Sequence, residues 1–147
     1  MGTKPFILKP GDRKAALNVV GVQVTILASE GAIQDQQITV QSGTEGAGPP
    51  PHSHDWDETF YVTRGQVEFV CGGEAAICTV GTLVHVPAGT IHAFRFGPGG
   101  GEMFEITGKG SNAAAMFTAV DRQIPPGPLV LEKAIGVLAE NGVTVHV

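Results

Sequence analysis

The feature that most constrains this sequence is a succession of short β-rich runs between Val19 and about Ser111. Runs such as VVGVQVTILA, QQITVQS, ETFYVTRG and IHAFRF are rich in β-branched or aromatic residues, and glycine or proline separates them. Short strands joined by regular turns are typical of a β-sandwich or barrel. A chain of 147 residues suffices for one domain with its own core, so we expect a single domain over residues 1–147, with the barrel at about residues 19–108.

Helical signal is confined to the C-terminal part, at about residues 111–142. The run SNAAAMFTAVD begins with Ser111 as a candidate N-cap. The run LVLEKAIGVLAENG places Leu131, Ile135 and Leu138 on one face, ahead of an Asn-Gly pair that ends a helix. The sequence therefore predicts an all-β fold with a short C-terminal helical segment and a closing strand, VTVHV.

Charge and hydropathy argue against two classes of partner. The net charge is -5 and no run of lysine or arginine occurs, so nucleic acid binding is not expected. The first fourteen residues contain only a three-residue apolar run, and no stretch approaches the length of a membrane span. We expect a cytoplasmic protein without a membrane partner.

The two cysteines are predicted to lie in one hairpin. If the chain turns at the Gly-Gly pair between them, Cys71 faces Glu74 and Cys78 lies opposite Val67. Because this register keeps the two sulfurs apart, two buried reduced thiols are expected rather than a disulfide.

The stretch GAGPPPHSHDWDETF carries the clearest chemical signal. In a strand, side chains at positions i and i+2 share a face, so His52 and His54 can present two imidazoles to one point. Glu58 follows four residues later, and His92 opens the run HAFRF further along. Together they supply three nitrogens and one carboxylate oxygen, a set that suits one divalent ion of iron, manganese, nickel, cobalt, copper or zinc without choosing between them.

Other polar residues near this stretch have simpler interpretations. A lone histidine in a β protein is usually hydrogen-bonded or exposed, and that interpretation fits His85 and His146. Asp55 and Asp57 are expected to be solvated loop acids rather than ligands. Trp56, between them, is expected to be a partly exposed loop residue or a subunit contact.

Two glycine-containing motifs make the chain resemble the cupins. The first family motif, Gly-X5-His-X-His-X3,4-Glu-X6-Gly, is matched in full, and the second, Gly-X5-Pro-X-Gly-X2-His-X3-Asn, is matched except at its last position, where Phe96 stands. The matching positions are Gly46, His52, His54, Glu58, Gly65, Gly81, Pro87, Gly89 and His92. The resemblance implies a jelly-roll barrel that holds a divalent metal through His52, His54, Glu58 and His92. Outside the motifs, the layout from about Leu17 onward resembles single-domain cupins grouped with quercetin 2,3-dioxygenases.

The alternation of side chains along the strands predicts the pocket. If the metal ligands point inward, so do Phe60 and Val62 on one strand and Phe94 and Phe96 on another, although Phe94 and Phe96 can equally be core filling. In EMFEIT, Met103 and Phe104 compete for the inward face. The candidate substrate pocket is therefore apolar and consists of Phe60, Val62, Phe94, Phe96 and Met103.

Cations and the single tyrosine are expected outside this pocket. Tyr61 has the opposite parity to Glu58 and Phe60 and should face away. Arg64 is expected at a strand end and Arg95 on the outer face, so neither supplies the cation that a phosphate or dicarboxylate ligand would require.

By resemblance, the expected activity is that of a metal-dependent dioxygenase acting on a flat, apolar phenolic or enolic small molecule such as a flavonol. Glu58 is the candidate catalytic base. A metal-dependent isomerase or lyase and a non-catalytic small-molecule-binding protein are the alternatives, since one fold hosts many reactions. A homodimer is expected, because barrel edges and outer apolar strands need covering.

Overall fold

The computed structural model describes residues 3–147, which form a mostly β fold with two short helices near the C-terminus. The strands are β1 (Leu17–Val19), β2 (Val22–Ala28), β3 (Gln37–Gly43), β4 (His52–His54), β5 (Glu58–Cys71), β6 (Glu74–Cys78), β7 (Leu83–Val86), β8 (His92–Thr107) and β9 (Val143–Val145). The helices are α1 (Ala113–Gln123) and α2 (Leu131–Glu140), and a single 3-10 turn covers Pro10–Asp12. None of the helices in the described part is long and apolar enough to cross a membrane.

The strands form one curled antiparallel sheet. Along one path the order is β1, β2, β3, β8, β4 and β9, while β5 pairs with β6, β7 and β8. The two longest strands, β5 and β8, pair along almost their whole length, from Glu58 opposite Thr107 to Cys71 opposite His92. The predicted jelly-roll barrel with a short helical extension is confirmed.

The β5–β8 ladder bends sharply at a group of glycines. Between the pairs Gly65–Gly101 and Val67–Phe96, β8 has four residues, 97–100, where β5 has only Gln66, and the register shifts there. A flat strand of the length of β5 would span about 43 Å at ~3.3 Å per residue. Instead Glu58, at one end of the ladder, lies 3.0 Å from His92, at the other end, measured from Oε1 to Nε2. The bend therefore closes the barrel and assembles the site.

Gly65, the last glycine of the first motif, shows why this position requires glycine. Its φ is +68°, which side-chain-bearing residues rarely adopt. A Cβ there would overlap the carbonyl oxygen of Gly100 and lie 2.9 Å from Cα of Gly101. The two strands therefore cross at the bend only because no side chain separates them.

The cysteine hairpin has the predicted register. Cys71 pairs with Glu74, and Cys78 pairs with Val67. Both thiols are free; Cys78 is buried and Cys71 is half-buried. Burial raises the pKa of both thiols, so they stay protonated at neutral pH.

The helices correct two details of the sequence prediction. The N-cap of α1 is Asn112 rather than Ser111, although Ser111 Oγ still accepts a hydrogen bond from the Ala113 amide at 3.0 Å. The buried face of α2 consists of Ala134, Val137 and Leu138. The prediction that Leu131 belongs to this face is wrong, because Leu131 is the first residue of α2 and remains 42% exposed.

The helices pack against each other and against the short strands, α1 on β1 and α2 on β9. In α1, the buried residues Met116, Phe117 and Val120 join the same apolar cluster as the strand residues Val22 and Val24. Residues of both helices thus complete the wall of the barrel interior.

Candidate metal centre

Three histidines converge inside the barrel. His52 and His54 both lie on β4, two residues apart, and His92 begins β8 directly opposite His52. One nitrogen from each ring can be chosen such that all three lie within 4.8 Å of one another. The sheet register thus places the three predicted ligands at one point.

A backbone carbonyl orients each imidazole. The Nδ1 atoms of His52, His54 and His92 lie 2.9, 3.1 and 2.8 Å from the carbonyl oxygens of Pro50, Trp56 and Thr90. Since a carbonyl oxygen can only accept, each Nδ1 carries a proton, so a ring in its neutral form has its lone pair on Nε2. This outer-sphere arrangement is characteristic of histidine ligands in metal sites.

Glu58 completes the cluster from the first residue of β5. Its Oε1 lies 3.0 Å from His92 Nε2 and 3.5 Å from His54 Nε2. When both rings are in the neutral form, their two nitrogen lone pairs face a carboxylate oxygen, an arrangement that repels unless a proton or a cation lies between them. The donor set of three neutral imidazoles and one carboxylate therefore fits a divalent transition ion, with His52, His54, His92 and Glu58 as the residues that would hold it.

The electrostatics of these groups favour that use. Burial, reinforced by the nearby charge of His92, lowers the pKa of His52 to about 4, so this ring is neutral at physiological pH. Burial alone would raise the pKa of Glu58, but hydrogen bonds with Glu105, His54 and His92 hold it well below its usual range. Burial likewise opposes the charged form of His92, but the hydrogen bond and charge of Glu58 raise its pKa. A cation bound between His92 and Glu58 would replace the proton of the hydrogen bond that joins them.

Glu105 is a site residue that the sequence reasoning missed. It is 1% exposed, and its Oε1 accepts a hydrogen bond from Thr39 Oγ1 at 2.8 Å. Burial, followed by the charge and hydrogen bond of Glu58, raises the pKa of Glu105 well above its ordinary value, so this carboxyl holds a proton beside the charged Glu58. The sequence could have indicated Glu105 through the alternation in EMFEIT, because an inward Met103 places Glu105, two residues later, on the same face.

A largely apolar cavity opens beside the cluster. Polar groups enter it only near the metal ligands, from Gln41 and Glu105, and no lysine or arginine is among its lining residues within the described chain. The apolar wall comes from the strands and from the C-terminal helical part, and consists mainly of Val19, Val20, Val22, Val24, Phe60, Phe94, Met116, Phe117, Leu138 and Val143. The contribution of the C-terminal part was not predicted.

The predicted pocket residues divide into two groups. Phe60 and Phe94 line the cavity, with their ring centroids 5.8 Å apart. Val62, Phe96 and Met103 are buried in the same apolar core but do not line the cavity. The open question of register is answered by Met103, which is fully buried opposite Val62.

Trp56 corrects the prediction of a partly exposed loop residue. It is only 5% exposed, and its ring stacks on His54 with centroids 4.4 Å apart and planes 9° from parallel. Because its carbonyl oxygen also accepts a hydrogen bond from His54 Nδ1, Trp56 positions this imidazole in two ways. The sequence placed it between two aspartates, a setting typical of loops, which concealed its burial.

The remaining polar residues lie outside the cluster. Tyr61 is 45% exposed and points away from the cavity. Arg95 is exposed, and so is Arg64, although Arg64 lies within β5 rather than at a strand end. Asp55 is exposed, and Asp57 accepts a hydrogen bond from a backbone amide at the surface.

The two other histidines are hydrogen-bonded, and neither belongs to the cluster. His85 is exposed and bonds with Thr59 through Nδ1 at 2.9 Å. His146 is half-buried and bonds with Ser53 through Nε2 at 2.7 Å. Both therefore match the simpler interpretation given by the sequence.

Comparison with known proteins agrees with this geometry. Residues 38–104, which contain all four candidate ligands, match the family model described as a cupin domain. The chain therefore contains a cupin domain. Over 97 residues this cupin is 33% identical to the quercetin 2,3-dioxygenase of Bacillus subtilis (strain 168), a region that covers 64% of this chain and 28% of the length of that enzyme.

Solved structures share the fold at low sequence identity. The structure of KdgF from Halomonas sp. is similar with a TM-score of 0.68 and 19% identity, and the match covers 76% of this chain and 99% of KdgF. An RmlC-like cupin from Shewanella frigidimarina NCIMB 400 gives a TM-score of 0.67 at 17% identity, with coverages of 78% and 99%. The polyketide cyclase RemF from Streptomyces resistomycificus gives 0.63 at 21% identity, with coverages of 74% and 81%. These similarities concern the fold alone.

Proposed function

We propose that this cupin is a metal-dependent dioxygenase that acts on a flat, largely apolar phenolic or enolic small molecule, with a flavonol as the model substrate. The observation that carries the proposal is the position of the three-histidine, one-glutamate cluster at the polar end of an otherwise apolar cavity. The similarity to quercetin 2,3-dioxygenase supports the same class of reaction. Dioxygen from solution would be the oxidant, and both of its atoms would enter the product.

The apolar lining of the cavity, rather than its volume of about 50 Å³ in this structure, suits an uncharged aromatic ligand. Phe60 and Phe94 present two tilted rings on its wall, and residues from α1 and α2 add further apolar side chains to it. A carboxylate or phosphate would find no cationic partner among the lining residues of the described chain. Burial of a planar apolar ligand would displace water from these walls, which is favourable at about 25 cal/mol per Å² of apolar surface.

Glu58 is positioned to take the proton of a substrate hydroxyl. When bound, a divalent ion supplies Lewis acidity, which lowers the pKa of such a hydroxyl. The low pKa of Glu58 keeps its carboxylate charged and able to accept the proton, and the protonated Glu105 beside it can donate a hydrogen bond to the same carboxylate. Water is kept from this exchange by the apolar walls.

The direct test combines metal analysis with oxygen uptake. The purified protein would be analysed for transition metals and then screened aerobically against flavonols and catechols with an oxygen electrode. We expect one metal ion per chain and oxygen consumption equal to substrate loss with at least one member of the panel. Stoichiometric metal without oxygen uptake on any member would overturn the dioxygenase proposal.

Glu58→Gln then tests the role of the base. A glutamine oxygen occupies similar space near the metal but cannot take up the proton in the same way, so turnover should fall by at least tenfold while metal occupancy is largely retained. Asp57→Asn, at the surface on the neighbouring residue, is the matched control and should leave turnover unchanged. Turnover by Glu58→Gln within threefold of the parent at full occupancy would leave Glu58 as a ligand only.

A second candidate is a metal-dependent isomerase or lyase. The two carboxyl groups of Glu58 and Glu105 lie in hydrogen-bonding contact beside the cavity, which is the arrangement needed to take a proton from one position of a substrate and return it to another. Turnover of an enolisable substrate under strictly anaerobic conditions would favour this candidate over the dioxygenase.

A further inference from the structure

One residue in the cavity wall has a backbone conformation that its residue type avoids. Val20 and Gly21 form the two-residue turn between β1 and β2, where Val19 pairs with Val22. Their φ values are +53° and +86°, and two positive values in succession are those of a type I′ turn. Asparagine, aspartate or glycine normally fills the first of these positions, whereas a β-branched residue there is strained.

Elsewhere in the described chain, positive φ values occur at residue types that tolerate them. The other residue with a side chain and a positive φ is Asp35, at +57°, which is exposed and belongs to a type that tolerates the left-handed region. Val20 differs from Asp35 in its surroundings, because it is half-buried and packs against the apolar core. A strained residue persists only where its surroundings compensate for it.

The position of Val20 supplies a reason for this strain. The residue lines the cavity that contains His52, His54 and Glu58, and it also lines a groove on the outer side of the β1–β2 turn. That groove is bounded by the residues 46–48 and by the Ile124–Leu129 segment that links the two helices. Val20 thus contributes to the walls of both the interior cavity and this groove.

We propose that Val20 is a specificity-determining residue, held in a strained turn so that an apolar wall separates the ligand cavity from the outer groove and admits flat apolar ligands. The proposal rests on the proposed function only in placing a small molecule in this cavity. An asparagine at position 20 would suit the turn better but would present a buried amide to the ligand, which is unfavourable without a hydrogen-bond partner.

The test compares fold stability with ligand affinity in Val20→Asn. The probe is N-phenyl-1-naphthylamine, a neutral flat aromatic molecule whose fluorescence rises in apolar surroundings, titrated into the protein as purified with its metal content measured. We expect the parent to bind the probe and quercetin to displace it. Val20→Asn should bind the probe at least tenfold more weakly, because a polar group meets the apolar ligand. Its melting temperature should equal or exceed that of the parent.

Asp35→Val provides the matched control for strain. Placing valine in the other left-handed position, away from the cavity, should lower the melting temperature by about 3–6 °C and leave probe affinity unchanged. Binding by Val20→Asn within twofold of the parent would overturn the proposal. A large fall in its melting temperature would show that Val20 is an ordinary packing residue, and absence of probe binding by the parent would show that the cavity selects no such ligand.

The experiments distinguish failure of the proposed dioxygenase activity from failure of the proposed role of Val20. If the probe results are as expected but no flavonol or catechol consumes oxygen, the dioxygenase assignment fails and the role of Val20 stands. If oxygen uptake is observed but Val20→Asn retains both probe affinity and the parent KM, only the assignment of Val20 fails.

Discussion

Replacing Gly65 with alanine should destabilise the fold and loosen the metal centre together, because this glycine lies at the bend of the β5–β8 ladder. Alanine at a φ of +68° costs about 1–2 kcal/mol. In addition, the new Cβ would lie 2.9 Å from Cα of Gly101, well inside the ~3.5–4.0 Å of an ordinary carbon contact. Forcing the strands apart adds about 1–3 kcal/mol, as for other overpacked sites. The expected total is about 2–5 kcal/mol.

Two matched glycine variants separate these contributions. Gly99 lies in the same bend with a φ of +80°, but a Cβ there would meet nothing within 4 Å, so Gly99→Ala should cost only the conformational term of about 1–2 kcal/mol. Gly136 lies within α2, where a Cβ likewise meets nothing, and Gly136→Ala should stabilise by about 0.5–1 kcal/mol. Only Gly65→Ala includes the overlap between strands.

The measurement is urea unfolding of the metal-free protein, followed by zinc titration of the folded variants. We expect the free energy of unfolding to decrease in the order Gly136→Ala, parent, Gly99→Ala and Gly65→Ala. We also expect Gly65→Ala to bind zinc at least tenfold more weakly than Gly99→Ala, because the bend sets the distance between Glu58 and His92. Equal stability and equal zinc affinity of Gly65→Ala and Gly99→Ala would refute the reasoning.

Three further predictions concern the ligands, the buried carboxyl and the assembly. His52→Ala and His92→Ala should each lower metal content below half an ion per chain by elemental analysis, whereas His85→Ala, at an exposed position, should keep the parent value; an unchanged content in the first two would remove the site assignment. Because the raised pKa of Glu105 means that the folded state keeps a proton which the unfolded state releases above pH ~4.3, Glu105→Gln should gain stability relative to the metal-free parent as pH rises from 4 to 7. A difference in melting temperature that does not change with pH would contradict this. The protein should be a homodimer by light scattering at micromolar concentration, and deletion of residues 1–9, which include the exposed Phe6 and Ile7, should shift it toward monomer; a monomeric parent would exclude the dimer.

The ligand set could be predicted from the sequence because its information is local. His52 and His54 share a face through the two-residue period of a strand, and the glycines around them occupy turns that other residues avoid. The same period placed Phe60 and Phe94 on the inward face once the ligands were assigned. Such inferences need only the strand repeat and no knowledge of distant contacts.

The rest depended on contacts between segments that are far apart in the chain. Glycine-rich stretches are typical of turns, so the sequence divided β5 and β8 into shorter strands, whereas each continues through its glycines because the ladder bends there. The burial of Trp56 follows from packing against His54 and the residue Gly142, which is 86 positions away. Glu105 remained hidden because both registers of its strand place one large apolar residue inward, and only pairing with β3 and β5 decides between them.

The bend of the β5–β8 ladder also determines where this protein should open. Glu58 and His92 stand at opposite ends of a single ladder, so an ion held by both would link those ends and oppose any straightening between them. Removal of the ion should therefore increase the mobility of the bend as well as that of the ligands. In deuterium exchange, the amides of residues 97–101 should take up label faster after chelation, while those at the β5–β6 hairpin keep their rate. Ion binding and closure of the barrel would then be one cooperative event. It would be measurable at the backbone amides of residues 97–101, which do not contact the ion.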